Sequence, residues 1–136
     1  VKMEGCIFCQ IAKGKAPAEI IYEEPRVICF LPKEIEVYGH TLVVPKEHYP
    51  DLYDIPTSVL ADLVRVAQKL TKEYRQRIGA TGMNLMHASG RDGQQSVFHF
   101  HFHLLPRFEN DGLNTWPNLP KIEIDRDELC AKLRIG

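Results

Sequence analysis

Three histidines alternate with bulky apolar residues across residues 97–105, which read VFHFHFHLL. Successive side chains of a strand point to opposite faces, so the alternation predicts a strand with His99, His101 and His103 in a row on one face. The phenylalanines and Leu104 would line the other face, against the core. An ordinary half-exposed strand does not require an imidazole at every second position. The row is therefore a candidate site for metal binding, proton transfer or nucleophilic attack.

The composition favours one domain spanning residues 1–136, with 44% hydrophobic and 26% charged residues as in ordinary soluble proteins. The net charge of -1 offers no basic field, so we expect neither a nucleic acid polymer nor a membrane as partner. No apolar run approaches the roughly 20 residues of a spanning helix, and the first residues lack a signal-peptide pattern. We therefore expect a cytoplasmic protein whose four cysteines form no structural disulfides.

The pattern along the chain predicts an α+β fold, with a mainly antiparallel five-stranded sheet, one long helix packed on it and short terminal helices. The strands are expected at residues 19–23, 26–31, 40–45, 83–88 and 97–105, and the helices at 6–13, 56–78 and 126–133. Apolar residues of the long helix recur three and four positions apart, which gives one stripe facing the sheet.

Cys6 and Cys9 have the spacing with which two thiolates bind one zinc ion. His48 and His99 are plausible imidazole partners that would complete a tetrahedral structural site. Two alternatives stay open: a redox pair, which needs a βαβ context that the N-terminus lacks, and two unligated core thiols.

A polar loop with two glycines precedes the histidine row; its residues include Gly90, Gly93, Gln94, Gln95 and Ser96. Backbone amides near glycine can approach an anion, and Gln and Ser add neutral donors, although such a loop is more often a simple turn. Beside the row, this loop suggests phosphate chemistry. A neutral His101 could attack phosphorus while its neighbour His103 protonates the leaving atom.

The row from His99 to Leu105 resembles the signature of the histidine triad (HIT) family, and further matching motifs follow in family order. These are Cys6-Ile-Phe-Cys9-Gln-Ile11, Gly39-His-Thr-Leu-Val-Val-Pro-Lys46-Glu-His48, Gly82-Met-Asn84, Gln95-Ser-Val97 and Pro106-Arg107. The resemblance implies a homodimeric α+β nucleotide hydrolase or transferase. Such an enzyme attacks the α-phosphate and releases a nucleoside monophosphate.

Carried over by position, the resemblance implies that His101 is the nucleophile, that His103 contacts phosphate oxygens or the leaving atom, and that His40 supports the triad. It implies nucleotide contacts from Ile7, Phe8, Ile11, Phe30, Leu31, Asn84, Ser89, Gln95, Ser96 and His103. Its cysteine-bearing bacterial branch implies structural zinc on Cys6, Cys9, His48 and His99, with no catalytic metal or organic cofactor.

Three positions depart from the family pattern. Pro32 stands near the place of an Asp that binds ribose, Ser89 replaces an Asn, and Gln94 replaces a glycine of the phosphate loop. None of them is the nucleophile. We therefore expect a phosphoramidase or hydrolase that releases a nucleoside monophosphate, with AMP as the expected product, from a purine nucleotide derivative. The alternatives are transfer to an acceptor other than water and a nucleotide-binding scaffold with vestigial activity.

Overall fold

The computed structural model describes residues 5–136 and shows the expected α+β architecture. The strands are β1 (Ile20–Glu23), β2 (Val27–Phe30), β3 (Thr41–Pro45), β4 (Gly82–Met86) and β5 (Phe102–Arg107). The helices are α1 (Ile7–Ala12), α2 (Thr57–Ile78) and α3 (Arg126–Leu133). The five strands form one antiparallel sheet in the order β1-β2-β3-β5-β4.

Helix α2 covers one face of the sheet, as its apolar stripe predicts. It ends at Gly79, whose left-handed backbone (φ 71°) lets its N–H bond to the Tyr74 carbonyl. The cluster beneath the helix combines its stripe with alternate strand residues; it includes Leu63, Val66, Leu70, Val27, Cys29, Val43, Phe100 and Leu104. This side of the sheet contains the larger apolar cluster.

The opposite face is also buried, because α1 packs on it. A second cluster there contains Phe8, Ile11, Ile28, Phe30, Leu42 and Val44. The strands β2 and β3 are therefore apolar on both sides, which explains their unbroken hydrophobic runs. The sheet face that carries the histidine row is therefore buried, and His99 and His101 are 0% and 6% exposed.

The prediction of a strand over 97–105 is wrong at its start, since β5 begins only at Phe102. Residues 97–101 leave the ladder because their backbone and side-chain groups find other partners. The N–H of Phe100 donates to the Tyr49 carbonyl (2.6 Å), and the Pro45 carbonyl accepts from the ring of His99 (2.7 Å). The inside-outside alternation survives, because Phe100 lies in the α2 cluster while His99 and His101 lie on the α1 side.

Arg107 ties the end of the sheet to the segment that follows it. Its guanidinium donates to both carboxylate oxygens of Asp111, to the side-chain oxygens of Asn84 and Thr115, and to the Leu113 carbonyl. Beyond this clamp, α3 contains no buried residue. Within the described part of the chain, no helix has the length and apolar content needed to cross a bilayer.

Candidate active site and metal centre

Four side chains converge where α1 meets the histidine row. The Cys6 Sγ lies 3.3 Å from His99 Nδ1, and the Cys9 Sγ lies 3.3 Å from His48 Nδ1 and 3.5 Å from His99 Nδ1. All four donor atoms lie within 4.8 Å of one another. Ligands of a tetrahedral zinc ion stand roughly 3.5 Å apart, given Zn–S and Zn–N bonds of about 2.3 and 2.0 Å. The sequence motif and the topology thus assemble a candidate metal centre.

The protonation chemistry of these donors also suits a metal ion. The Nε2 of His99 bonds to the Pro45 carbonyl at 2.7 Å, so this nitrogen carries the proton and Nδ1 keeps its lone pair toward the thiols. Burial, followed by interaction with Cys6, raises the pKa of the Cys9 thiol to about 11. A divalent cation is what would stabilise the thiolate there at neutral pH. Two thiolates and two neutral imidazoles form a donor set that fits zinc.

His101 shows the opposite ring orientation from its neighbour His99. Its Nδ1 donates to the His99 carbonyl at 2.7 Å, which leaves Nε2 with a free electron pair. Burial is the main cause that lowers the pKa of His101 to about 4, so the ring is neutral at pH 7. The edge of Phe8 contacts this ring, with centroids 5.2 Å apart.

A chain of hydrogen bonds determines the proton positions on His103. The N–H of Glu36 donates to Nδ1 of His40 at 3.3 Å, so Nε2 of His40 carries the proton. That nitrogen lies 3.0 Å from Nδ1 of His103, which therefore accepts. The proton of His103 is then on Nε2, in a ring whose centroid lies 5.0 Å from that of His101. The arrangement juxtaposes one imidazole with a free electron pair and one with an available N–H.

Gln95 braces the loop that precedes the histidine row. Its Oε1 accepts from the N–H of Gly90 (2.8 Å), and its Nε2 donates to the carbonyls of Pro50 (2.5 Å) and Val97 (3.1 Å). Both amide hydrogens are therefore used by the loop itself, and the side chain is buried. The next residue, Ser96, is exposed at the end of the loop.

The same loop contains a close backbone approach and a strained position. A Cβ at Gly93 would lie 2.5 Å from the Ser89 carbonyl oxygen, so no side chain fits there without a shift of the backbone. Gln94, which departs from the glycine that the resemblance implies there, adopts the left-handed region at φ 69°. The backbone at this position thus has the conformation that glycine favours.

The structure brings together part of the expected nucleotide pocket. The ring centroids of Phe8 and Phe30 lie 5.4 Å apart, and Ile11 belongs to the same buried cluster. Ile7 is partly exposed beside the metal centre, where it lines a cavity of about 410 Å³ together with Ser96. These residues lie on the α1 side of the sheet, with His101.

Three other expected nucleotide contacts are placed differently. Leu31 lines a groove against α2, on the other side of the sheet from Phe8. Asn84 accepts hydrogen bonds from Arg107 and Thr115 and so belongs to the clamp. The hydroxyl of Ser89 accepts from the N–H of Leu52 and bonds to a ring nitrogen of His87. In these two residues the polar groups serve internal contacts.

The sequence analysis overlooked His87, the one histidine to which it assigned no role. The Nδ1 of His87 lies 3.0 Å from the carbonyl oxygen of His101, and its ring stacks on Phe100 with centroids 4.2 Å apart. A polar ring at the end of a short strand carries little signal by itself, since such residues are commonly solvated. The backbone turns away after β4 ends at Met86, and this turn brings the ring of His87 into contact with the histidine row.

Comparisons with a family model and with known proteins point to the same family. A family model described as "HIT domain" matches residues 13–110. An uncharacterized HIT-like protein of Methanocaldococcus jannaschii is 41% identical over 107 residues, covering 79% of this chain and 82% of the relative. Adenylylsulfatase HINT3 of Arabidopsis thaliana is 31% identical over 128 residues, covering 94% of this chain and 65% of the relative.

A solved structure with the same fold contains zinc. The zinc-bound histidine triad family protein from Mycobacterium smegmatis superposes with a TM-score of 0.80 at 35% identity. The alignment covers 93% of this chain and 88% of that protein.

Proposed function

We propose a hydrolase function for this chain, which belongs to the HIT domain family. Its substrate would be a nucleotide derivative NMP–X, cleaved at the α-phosphate to release a nucleoside monophosphate. The observation that carries the proposal is the pairing of His101, with a free electron pair on Nε2, and His103, with a donor N–H on Nε2. A relative named as an adenylylsulfatase supports hydrolysis of an adenylyl compound.

The reaction proceeds by two displacements at one phosphorus. The neutral Nε2 of His101 attacks the α-phosphorus, a P–N bond forms, and the P–X bond breaks with its electron pair leaving on X. The Nε2–H of His103 donates a hydrogen bond to the departing atom, and X takes up a proton from solvent. Water then attacks the same phosphorus, the P–N bond breaks back to His101, and the proton of the water returns to solvent. The sum is NMP–X plus water giving NMP plus HX.

The surroundings of His101 favour the first step. A ring buried beside Phe8 stays neutral at pH 7, and only the neutral ring has a lone pair to attack with. A positive charge develops on the ring of His101 as the P–N bond forms. The His99 carbonyl oxygen stabilises this charge through its hydrogen bond with Nδ1. We assign the neutral donor for the phosphoryl oxygens to the exposed hydroxyl of Ser96, since the amide of Gln95 is occupied.

The nucleoside is proposed to bind on the α1 side, where Ile7 is partly exposed next to the buried cluster of Phe8, Phe30 and Ile11. Aromatic and aliphatic side chains of this kind suit a purine ring. Phe8 would thus contact both the base and the nucleophile.

Zinc on Cys6, Cys9, His48 and His99 would be structural, because four protein donors leave no open position for substrate. Cys6 and Cys9, at the start of α1, would hold such an ion together with His48 and His99, which lie outside the strands. This coordination would fix the helix that presents Phe8.

We also propose a cytoplasmic homodimer. All four cysteines are free thiols in the structure, in keeping with a reducing compartment. The edge strand β4 exposes Leu85 beside Val64 of α2, and exposes Met86 on its other face. Exposed apolar residues next to an unpaired strand edge are suited to contact with a second copy. Sedimentation equilibrium tests the dimer, and a monomer at micromolar concentration contradicts it.

The function is tested with adenosine phosphoramidate, adenylyl sulfate, a dinucleoside polyphosphate and a nucleotide sugar as separate substrates. We expect AMP from at least one of them and an adenylylated protein on rapid quenching, located at His101 by peptide mass analysis. A folded protein that produces neither AMP nor adduct with any of the four is a binding protein, and the proposal is then wrong. An adenylylated acceptor in place of AMP would indicate a transferase.

A further inference from the structure

The backbone at His101, the proposed nucleophile, lies just beyond the end of the β4–β5 pairing, and a side chain forms the hydrogen bond there. Strands β4 and β5 pair regularly as far as Met86 and His103, and β4 then leaves the sheet. Two residues before His103, the His101 carbonyl bonds instead to the ring Nδ1 of His87 at 3.0 Å. An imidazole thus supplies the N–H that the departing strand no longer provides.

His87 is itself fixed on three sides. Its ring stacks on the buried ring of Phe100 at 4.2 Å and 23°, and the ring of Phe102 approaches it edge-on at 5.7 Å. Its Nε2 lies 2.5 Å from the hydroxyl of Ser89, which accepts from the N–H of Leu52 at 2.9 Å. Since Nδ1 must donate to a carbonyl, Nε2 accepts the Ser89 proton and the chain of bonds is satisfied throughout.

We propose that His87 is a positioning residue for His101, an inference that rests on the proposed role of His101 as nucleophile. Two bonds fix the backbone and ring of His101: its own Nδ1 bonds to the His99 carbonyl, and its carbonyl bonds to Nδ1 of His87. The direction of the free Nε2 therefore depends on both.

This arrangement explains how one loop can leave the sheet next to a rigid nucleophile. A continued ladder would hold residues 87–89 alongside β5 and leave no room for a loop between β4 and the row. The His87 side chain keeps the His101 backbone in place while the chain turns away into residues 88–96. The phosphate loop and the fixed nucleophile can then be neighbours.

Two substitutions separate the hydrogen bond from the packing. His87→Phe keeps an aromatic ring over Phe100 and removes the N–H. His87→Asn keeps an amide N–H at nearly the same distance from the backbone as Nδ1. Because a displacement of about 1 Å at a reacting group can lower the rate about 100-fold, we expect kcat to fall 10- to 100-fold in His87→Phe. The KM should change less than about threefold, and His87→Asn should recover most of the lost kcat.

Tyr74→Phe is the matched control. It removes a buried side-chain hydrogen bond within the α2 cluster, that of the Tyr74 hydroxyl with Thr41 Oγ1 at 2.6 Å. It should lower stability to a similar extent and leave kcat unchanged. Equal losses of kcat in Tyr74→Phe and His87→Phe would mean that stability alone accounts for the effect, and would overturn the proposal.

A spectroscopic measurement makes the test independent of turnover. The ring Nδ1–H of His101 should give a downfield, slowly exchanging proton in long-range 15N–1H spectra, and the carbonyl 13C of His101 should report its acceptor bond. We expect both signals to shift in His87→Phe, with faster proton exchange, and to return in His87→Asn. Unchanged signals in His87→Phe overturn the proposal. If the wild-type protein cleaves no substrate but both signals still shift in His87→Phe, the proposed function is contradicted and the contact of His87 with His101 is retained.

Discussion

His99 and His101 are two positions apart in one segment, are equally buried, and leave opposite ring nitrogens free. His99 donates through Nε2 to the Pro45 carbonyl and turns Nδ1 toward the thiol of Cys9. His101 donates through Nδ1 to the His99 carbonyl and leaves Nε2 free, in a ring that packs at 88° to that of Phe8. Burial lowers the pKa of both rings to about 4, so charge does not distinguish them.

The difference lies in which backbone carbonyl each ring meets. A neutral imidazole has one donor and one acceptor nitrogen, and the carbonyl selects the donor. The remaining nitrogen of His99 faces thiols, and that of His101 is the atom proposed to attack phosphorus. One short segment therefore offers a candidate metal ligand and a proposed nucleophile, and both are histidines.

The largest effect should come from replacing the proposed nucleophile. His101→Ala removes the attacking nitrogen, so we expect AMP release to fall about 10,000-fold or more, with no adenylylated protein. The zinc content and the melting temperature should stay close to those of the wild type, because the metal donors lie on other residues. Steady-state AMP release, metal analysis and calorimetry of the same preparation measure all three.

Two results with His101→Ala would contradict the separate roles of His99 and His101. Turnover that survives in His101→Ala would show that another group attacks phosphorus. Loss of zinc in His101→Ala would show that the two ends of the row are not separable.

The second largest effect is expected at the metal end. Metal analysis should find about one zinc ion per chain, and Cys9→Ser should lose it. Because a structural metal binds the folded chain and not the unfolded one, its loss should cost about 3 kcal/mol or more of stability, near 10 °C in melting temperature. Cys130→Ser, which changes an exposed thiol elsewhere, should leave both quantities unchanged. Wild-type protein purified without zinc, with full stability, would contradict the metal centre.

Much of this division could be predicted from the sequence. Strict alternation indicates which face the imidazoles share, and the spacing of Cys6 and Cys9 indicates a metal pair. The apolar stripe of α2 and the breaks between strands suffice for the α+β class. These features depend on local periodicity, which the sequence states directly.

The remainder depends on where backbone groups find partners. The strand over 97–101 fails because Tyr49 and Pro45, far away in sequence, take its hydrogen bonds. Leu31 turns to the α2 side because it follows Phe30 by one position in an alternating strand. The role of His87 needs the exit of β4 from the sheet. Long-range geometry of this kind leaves no periodic signal.

An intermediate effect should follow from Phe8, which contacts both rings of the comparison. Its centroid lies 5.7 Å from that of His99 and 5.2 Å from that of His101. Phe8→Leu should cost about 1 kcal/mol of stability and raise the KM several-fold, because a flat apolar surface is lost from the proposed pocket. Leu63→Val in the α2 cluster should cost similar stability with no change in KM. A KM that is unchanged in Phe8→Leu would separate this ring from nucleotide binding.

The smallest effect concerns pH at the reaction end of the row. Burial is the main cause that lowers the pKa of His40 and of His103 below 6.5; Glu36 opposes it at both, and His40 reinforces it at His103. As the pH falls below about 6.5, the unfolded chain binds protons at both histidines while the native chain resists. The free energy of unfolding must therefore decrease with decreasing pH.

His40→Gln isolates that contribution. A glutamine amide can keep an N–H near Nδ1 of His103, but it does not titrate, so the decline in stability between pH 6.5 and 5 should become shallower by up to about 1 kcal/mol. Urea unfolding at several pH values measures it. Because the metal-end residues are unchanged in this variant, the difference between the two curves belongs to the reaction end. Superimposable curves would mean that the pKa of His40 is the same in the native and unfolded chains, and would contradict the effect of burial on this ring.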